Sequence, residues 1–229
     1  MFNARSVVNK VPELHQLLYC DQYSLFCVTE TWLHSDVSCG LLDPQSEYSI
    51  IRRDRTGSSH GGVAAFIKRN LYFVEISVDT VYDSLELLCF DIYFFKCKMR
   101  FFVIYGPPYY DQSAIDYMDL LITCPKQYYS TDRGTVNVIL GDLNCPKSDW
   151  INLCSSSDHI SKSLLNWFSA HECCQFVQFP TCGDNILDLV LADDNQIISC
   201  IYSNPPLGHS DYCIVSFVVD IEVTHSSNE

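Results

Sequence analysis

The chain has 229 residues, 48% of them hydrophobic and 18% charged, which is enough apolar sequence for one large folded domain with a substantial core. Its 28 acidic and 14 basic residues give a formal net charge of −14. This balance argues against a general nucleic-acid-binding protein, because non-specific affinity comes mainly from lysine and arginine on phosphates. It does not exclude an enzyme that meets phosphate through a divalent cation, since the metal reverses the local field.

The 13 cysteines are scattered and form no CxxC pair, a usage typical of free thiols in a reducing compartment. The nearest approach to a zinc site is His171 with Cys173 and Cys174, which lacks the usual ligand spacing. The sequence has no apolar run long enough to span a membrane, and its first ten residues lack the core of a signal peptide. We expect a soluble intracellular protein without a membrane partner, and the nucleus is a candidate compartment.

Helical spacing of apolar residues predicts three helices, over residues 12–20, 113–124 and 159–171. Between them lie about ten strand-like runs, at 25–33, twice within 48–68, and at 71–78, 85–95, 99–105, 136–144, 186–191, 197–202 and 213–219. No repeat or linker divides the chain. We therefore expect one α/β (α+β) domain over residues 1–220, with two mostly antiparallel sheets face to face and helices outside, followed by a polar tail at 221–229.

The run VNVILGDLN, Val136–Asn144, predicts a buried strand that delivers polar groups to a sheet edge. Gly141 allows a turn, and an extended continuation would point Asp142 and Asn144 the same way. A carboxylate beside an amide suits the holding and deprotonation of a water molecule. The alternative for this short motif is a turn rich in Asx residues.

Polar residues recur at the ends of other predicted strands. They are Asn3, Glu30, Tyr105, Asp142, Asn144, Asp188 and Asp211. Carboxylate and amide oxygens suit Mg²⁺, and their wide spread in sequence is typical of a site assembled from many strand ends. Asp188 stands between apolar neighbours, where a charge is costly to bury without a partner. A loop expected to hold Arg52, Arg53 and Arg55 is the best candidate for contacting a polyanion, unless it is simply solvated.

Seven segments in this order resemble the endonuclease/exonuclease/phosphatase superfamily, and within it the endonuclease domain of non-long-terminal-repeat retrotransposons. They are NARSVVNKVPEL, LFCVTETWL, HGGVAAFIK, FFVIYGPP, VILGDLN, NILDLVLADD and PLGHSDY. The resemblance covers nearly the whole chain and implies a four-layered αββα sandwich. It also implies a DNA substrate and Mg²⁺, with Mn²⁺ as a substitute, and a reverse transcriptase as partner within a longer parent polyprotein.

The resemblance implies a role for each strand-end residue. Glu30 would bind the metal directly, and Asn3 and Asp211 would complete or support that site. Asp142 would align or deprotonate the attacking water, Asn144 would hold the phosphate and Asp142, and Tyr105 would donate to a phosphate oxygen. Asp188 would orient a histidine that follows Asp211.

Three features depart from the family pattern. Tyr212 stands where the family has that histidine, and tyrosine can donate a hydrogen bond but cannot carry positive charge. His209 is a weak candidate to replace it. Gly106 stands where the retrotransposon pattern has arginine, and the chain begins at or inside the first strand, so we expect that strand to be truncated.

Three functions follow as hypotheses. The first is a Mg²⁺-dependent phosphodiesterase that nicks DNA, impaired by Tyr212. The second is a catalytically inactive remnant that keeps the fold and at most binds nucleic acid or a partner. The third is a lipid or nucleotide phosphatase on the same fold.

Overall fold

Two β-sheets pack face to face and carry the helices on their outer surfaces. The computed structural model describes residues 1–21, 23–95, 97–106, 108, 112–155 and 159–221. The α-helices are α1 Val11–Cys20, α2 Cys39–Leu42, α3 Gln112–Tyr128 and α4 His159–Ala170, with 3-10 turns at Val8–Lys10 and Thr80–Tyr82. The predicted tail lies outside the described residues, apart from Ile221.

The described residues form fourteen strands. They are β1 Phe2–Asn3, β2 Leu25–Thr29, β3 Tyr48–Arg53, β4 Val63–Lys68, β5 Tyr72–Glu75, β6 Leu87–Tyr93, β7 Lys98–Tyr105, β8 Thr135–Asp142, β9 Ser148–Asp149, β10 Cys154–Ser155, β11 Cys174–Gln175, β12 Asp188–Ala192, β13 Ile198–Asn204 and β14 Ile214–Val219. The ten predicted runs correspond to the ten strands of four residues or more.

The first sheet has the order β1-β2-β4-β3, and the hairpin β13-β14 adjoins it at Met1. The Met1 ammonium donates to the Val215 carbonyl at 2.7 Å, and the Val215 amide donates back to the Met1 carbonyl at 2.8 Å. The second sheet has the order β11-β12-β8-β7-β6-β5. Its pairs are antiparallel except β7 with β8, and the three runs between 71 and 105 pair antiparallel as predicted.

Three apolar layers hold these elements together. The central layer lies between the sheets and includes Cys27, Ala65, Phe90, Phe101 and Val190. A second layer packs α3 and α4 on the outside of the second sheet, and a third packs α1 on the outside of the first. This helix–sheet–sheet–helix order confirms the predicted αββα sandwich.

Several predicted boundaries are wrong in detail. β2 ends at Thr29, so Glu30 and the residues after it form an irregular segment rather than strand. Arg52 and Arg53 lie in β3, so only Arg55 is in the following loop. Helix α3 continues beyond residue 124 to Tyr128. No helix in the described part of the chain is long and apolar enough to cross a membrane.

Gly141 is the one glycine whose position decides the site geometry. It lies inside β8 with φ +151°, rather than in a turn, and pairs with Ile104 of β7 and Leu189 of β12. A Cβ atom at this position would stand 1.8 Å from the Ile104 carbonyl oxygen. The absence of a side chain therefore lets two central strands approach closely just before Asp142.

Candidate active site

Asp142 is the last residue of β8 and is fully buried. Its Oδ2 accepts a hydrogen bond from Asn3 Nδ2 at 2.8 Å, and its Oδ1 accepts one from the Asn144 amide at 2.9 Å. Burial raises the pKa of Asp142 to about 6, although these two hydrogen bonds and one from Tyr212 act in the opposite direction. The carboxylate is thus held from both sheets, because Asn3 belongs to the first and Asp142 to the second.

Asn144 holds Asp142 through its backbone rather than by continuing the strand. Its φ of +47° is left-handed, so the extended continuation expected from the sequence does not occur. Its side-chain amide donates to the Gly106 carbonyl at 2.7 Å. This bond ties the segment after β8 to the end of β7.

Asp188 faces Asp142 directly across the pairing of β12 with β8. It is fully buried, and neither of its carboxylate oxygens accepts a hydrogen bond of good geometry among the described residues, although the neighbouring Thr181 hydroxyl interacts with the carboxylate and opposes the rise of its pKa. Burial, and then the charge of Asp142, raise the pKa of Asp188 well above its usual range. Burying a carboxylate without a good partner costs folding free energy. In the sequence, the feature that indicates such a residue is a charged side chain inside an apolar run.

Tyr212 lies against this pair of carboxylates. The residue is only 4% exposed, and its hydroxyl interacts with Asp142. Burial, reinforced by the charge of Asp142, raises the pKa of the Tyr212 hydroxyl, so the phenol stays neutral. The Tyr212 hydroxyl therefore interacts with Asp142, and Asp188 keeps no hydrogen-bond donor of good geometry among the described residues.

Glu30 and Tyr105 come together at the ends of β2 and β7. The Glu30 carboxylate accepts from the Trp32 indole N–H and from the Gly61 amide, the latter at 3.3 Å. The Tyr105 hydroxyl also donates to Glu30, and burial is the main cause of the raised pKa of Tyr105. Both Glu30 and Trp32 have left-handed backbone angles, φ +52° and +55°. Strain of this kind clusters at functional sites.

Asp211 stands at the exposed rim, with 58% of its side chain accessible. Its carboxylate forms an ion pair with Arg5, whose guanidinium also lies 5.7 Å from the centre of the Tyr212 ring. The preceding Ser210 hydroxyl donates to the Asn3 carbonyl at 2.8 Å. The Ser210 hydrogen bond therefore fixes the loop before β14 to β1. Asp211 itself contacts Arg5, and Arg5 lies against the Tyr212 ring.

The donor chemistry fits a divalent cation in part. Glu30 supplies a carboxylate and Asn3 an amide oxygen, which accepts the Arg5 amide at 3.0 Å. These are the hard oxygen ligands that Mg²⁺ prefers. Asp211 is neutralised by Arg5, and no group of three or more His, Cys, Asp or Glu side chains in the described ranges could hold a metal ion.

Arg5, Trp32 and Arg55 are neighbours of the site that sequence reasoning does not assign to it. The Arg55 guanidinium pairs with buried Glu86 and lies 5.7 Å from the centre of the Tyr105 ring. In the sequence Arg55 stands out only as part of a basic loop. The signal for Arg5 is its place inside the NARS segment, two residues after Asn3.

The fold, together with a family model that matches just over half of the chain, defines the class of protein: a member of the endonuclease/exonuclease/phosphatase superfamily. The family model described as endonuclease-reverse transcriptase matches residues 99–216, just over half of the chain. The chain belongs to that family. No curated protein sequence matches it significantly.

Solved structures with the same fold include the endonuclease domain of TRAS1, a telomere-specific non-LTR retrotransposon. It has a TM-score of 0.72 and 13% identity, over 96% of each chain. An AP endonuclease from Archaeoglobus fulgidus has a TM-score of 0.71 and 14% identity, over 96% of this chain and 98% of its own. A Neisseria 3′ phosphatase bound to a product DNA hairpin has a TM-score of 0.70 and 10% identity, with the same coverage. At these identities the likeness establishes the fold.

Proposed function

We propose that the chain is a metal-dependent phosphodiesterase that nicks DNA, with activity reduced by Tyr212. The observation that carries the proposal is the fixed geometry of Asp142, a buried carboxylate at the end of one sheet that is held by Asn3 from the other sheet and by the Asn144 amide from the segment after β8. Preorganised groups of this kind need no rearrangement during the reaction. The family match and the structural likeness to a retrotransposon endonuclease and an AP endonuclease support DNA as the substrate.

In this proposal, Asp142 orients the attacking water and accepts its proton. With a pKa of about 6, the Asp142 carboxylate is mostly ionised at neutral pH. Its pKa is also near enough to neutral pH for it to accept a proton from water as a general base. Asn144 and Tyr105 lie at neighbouring strand ends and would position the phosphate. For Tyr105 this requires its hydroxyl to turn from Glu30 to the substrate.

Glu30 and Asn3 would hold Mg²⁺, or Mn²⁺ in its place. The bound ion would supply Lewis-acid polarisation of the phosphate. Asp211 would join them only after release from Arg5. Arg5 is then available to the negatively charged substrate, as a cation at the site edge of an otherwise acidic chain.

Tyr212 is the reason for proposing reduced rather than full activity. Neither oxygen of Asp188 has a donor of good hydrogen-bond geometry among the described residues, as expected if the histidine that it would orient is missing. Removing one preorganised donor to the reacting phosphate costs on the order of 10² to 10³ in rate. Enzymatic enhancements reach about 10¹⁷ for slow hydrolyses, so a measurable residual rate is compatible with this loss.

The same orphaned carboxylate supports a second candidate function, an inactive module that retains the fold. In this alternative the ion pair between Arg5 and Asp211 and the contact of Tyr212 with Asp142 are permanent. The module would bind nucleic acid or a partner, such as a reverse transcriptase in the same polyprotein, without cleaving it.

A supercoiled-plasmid assay with Mg²⁺ tests the first proposal. We expect slow conversion to nicked circles that Asp142→Ala and Glu30→Ala each abolish. Glu75→Ala, which removes an exposed carboxylate on the remote strand β5, is the matched control and should leave the rate unchanged. Equal nicking by all four proteins would identify a contaminating nuclease and refute the assignment. Faster hydrolysis of a small phosphate ester than of DNA would favour a phosphatase instead.

A further inference from the structure

Two glycines of the loop between β3 and β4 hold the segment that carries Glu30. This segment lies beyond the end of β2, and Glu30 and Trp32 have left-handed backbone angles. The Thr31 amide donates to the Gly62 carbonyl at 3.2 Å, and the Trp32 amide donates to the Gly61 carbonyl at 2.8 Å. The Gly61 amide in turn donates to the Glu30 carboxylate at 3.3 Å. The place of this carboxylate therefore depends on where Gly61 and Gly62 lie.

Glu86 fixes the position of these two glycines from the second sheet. It stands just before β6 and is only 3% exposed. One of its carboxylate oxygens accepts from the Gly62 amide, and the other forms an ion pair with the Arg55 guanidinium. A Cβ atom on Gly61 would lie 2.6 Å from both Glu86 Oε2 and Arg55 Nε. The ion pair therefore packs directly against Gly61.

The backbone of Glu86 makes a second set of bonds, to the strand end that carries Tyr105. The Tyr105 amide donates to the Glu86 carbonyl at 3.0 Å. The Glu86 amide donates to the Tyr117 hydroxyl at 2.8 Å, and that hydroxyl donates to the Tyr105 carbonyl at 3.2 Å. A substitution of the Glu86 side chain leaves the donors and acceptors of these three bonds in place. The effect of the side chain on Glu30 can therefore be measured separately.

The Glu86 carboxylate provides direction rather than net stability. A buried ion pair adds little stability compared with well-packed apolar residues of similar volume, because both charges lose their hydration. The two oxygens of Glu86 accept from two donors at different points of the same loop, Arg55 and Gly62. An apolar side chain of the same size could fill this space, but it could not orient the Gly62 amide.

We propose that Glu86 is a positioning residue for the metal ion, acting through Gly61 and Gly62 on the Glu30 carboxylate. This role rests on the proposed function, in which Glu30 holds Mg²⁺. Glu86 does not touch the ion. Its side chain keeps the Gly61 amide against the Glu30 carboxylate, so the metal ligand is already oriented in the unbound chain. The loss of a residue that orients a ligand in this way typically lowers metal affinity by about 10- to 100-fold.

Titration of the full chain with Mn²⁺, followed by the electron paramagnetic resonance signal of the free ion, measures this affinity without any substrate. Glu30→Ala identifies the binding that depends on Glu30, since a chain with a net charge of −14 also binds the ion elsewhere. We expect Glu86→Gln to weaken the Glu30-dependent binding about tenfold or more, because an amide offers one acceptor oxygen to two donors. Arg55→Met should weaken it to a similar extent, and Arg55→Lys, which keeps a cation beside Glu86, should weaken it less.

Asp91→Asn is the matched control for the loss of a buried charge. Asp91 is also a buried carboxylate, and it accepts two bonds from Arg100, at 2.7 and 2.8 Å. It lies five residues beyond Glu86 along the chain, which is about 16 Å in a strand. Its substitution should lower the stability to urea and leave the Mn²⁺ affinity unchanged.

Folded Glu86→Gln and Arg55→Met variants that bind Mn²⁺ as tightly as the unmodified chain would overturn the positioning role and leave the metal assignment intact. An equal loss of affinity in Asp91→Asn would identify general destabilisation as the cause and would also overturn it. If Glu30→Ala binds as tightly as the unmodified chain, Glu30 does not hold the ion, and the metal site of the proposed function fails as well. Circular dichroism checks the folding of each variant, and Arg55→Met decides the question if Glu86→Gln does not fold.

Discussion

Replacing Asp142 with asparagine removes the central group of the site. We nevertheless expect the stability of this variant, relative to that of the unmodified chain, to increase as the pH rises. The carboxylate is fully buried, and its pKa is raised from 3.8 to about 6, mainly by burial. A raised pKa means that folding disfavours the ionised form, so the contribution of this group to the stability of the unmodified chain is greatest below pH 4 and is lost as pH rises through 6. A shift of about two units corresponds to about 3 kcal/mol.

The variant has a cost that does not depend on pH. Asparagine offers one acceptor oxygen, whereas the two oxygens of Asp142 face the donors Asn3, Asn144 and Tyr212, so at least one donor loses its partner at a cost of about 1 to 2 kcal/mol. We therefore expect Asp142→Asn to be less stable than the parent near pH 4 and more stable near pH 7.5, a relative change of about 2 to 3 kcal/mol.

Urea unfolding in the presence of a chelator, at several pH values between 4 and 7.5, measures this change. Glu75→Gln removes an exposed carboxylate and serves as the control, with no pH-dependent difference expected. Asp188→Asn should change the pH dependence in the same direction, because burial also raises the pKa of Asp188. Parallel stability curves for Asp142→Asn and the parent would refute the reasoning.

Two further predictions concern the structure that supports the site. Gly141→Ala should cost more than about 3 kcal/mol in urea unfolding, because its Cβ would meet the Ile104 carbonyl oxygen at 1.8 Å. Gly134→Ala, which is also at positive φ but has open space around it, should cost about 1 kcal/mol, and equal losses would contradict the steric argument. Arg100→Met should destabilise by about 3 kcal/mol, because buried Asp91 then loses two bonds of 2.7 and 2.8 Å and keeps only the Lys98 ammonium at 3.6 Å. The double variant with Asp91→Leu should recover most of that loss. If the loss is not recovered, the buried charge of Asp91 is not its cause.

The spacing of apolar residues along the sequence predicted the sandwich, because each helix and strand buries an apolar face against the neighbouring layer. The three predicted helices begin and end within a few residues of the expected positions, apart from the extension of α3 to Tyr128, whereas the four-residue helix α2 was not predicted. Runs such as 186–191 alternate poorly, yet they form strands because both faces of the second sheet are covered. The short strands β9, β10 and β11 have too few residues to produce a pattern.

The candidate site was predicted as a set of residues, but its contacts were not. Sequence position placed Asn3, Asp142 and Asp188 at strand ends, and pairing brings them together. The left-handed conformations of Glu30 and Asn144 depend on tertiary contacts that no local pattern records. The ion pair between Arg5 and Asp211 joins residues 206 positions apart, which only the assembled fold brings together.

We propose that this site cleaves DNA at a rate limited by Tyr212. The most direct measurement is the Mg²⁺-dependent plasmid-nicking rate of Tyr212→His beside that of the unmodified chain, with folding checked by circular dichroism. The charge of Asp188 acts on the Tyr212 hydroxyl, and the Asp188 oxygens have no hydrogen-bond partner of good geometry among the described residues. If a histidine at position 212 uses Asp188 as the acceptor that orients it, we expect a rate increase on the order of 10² to 10³ that Asp188→Ala largely removes. A folded Tyr212→His variant that nicks no faster than the unmodified chain would contradict the account.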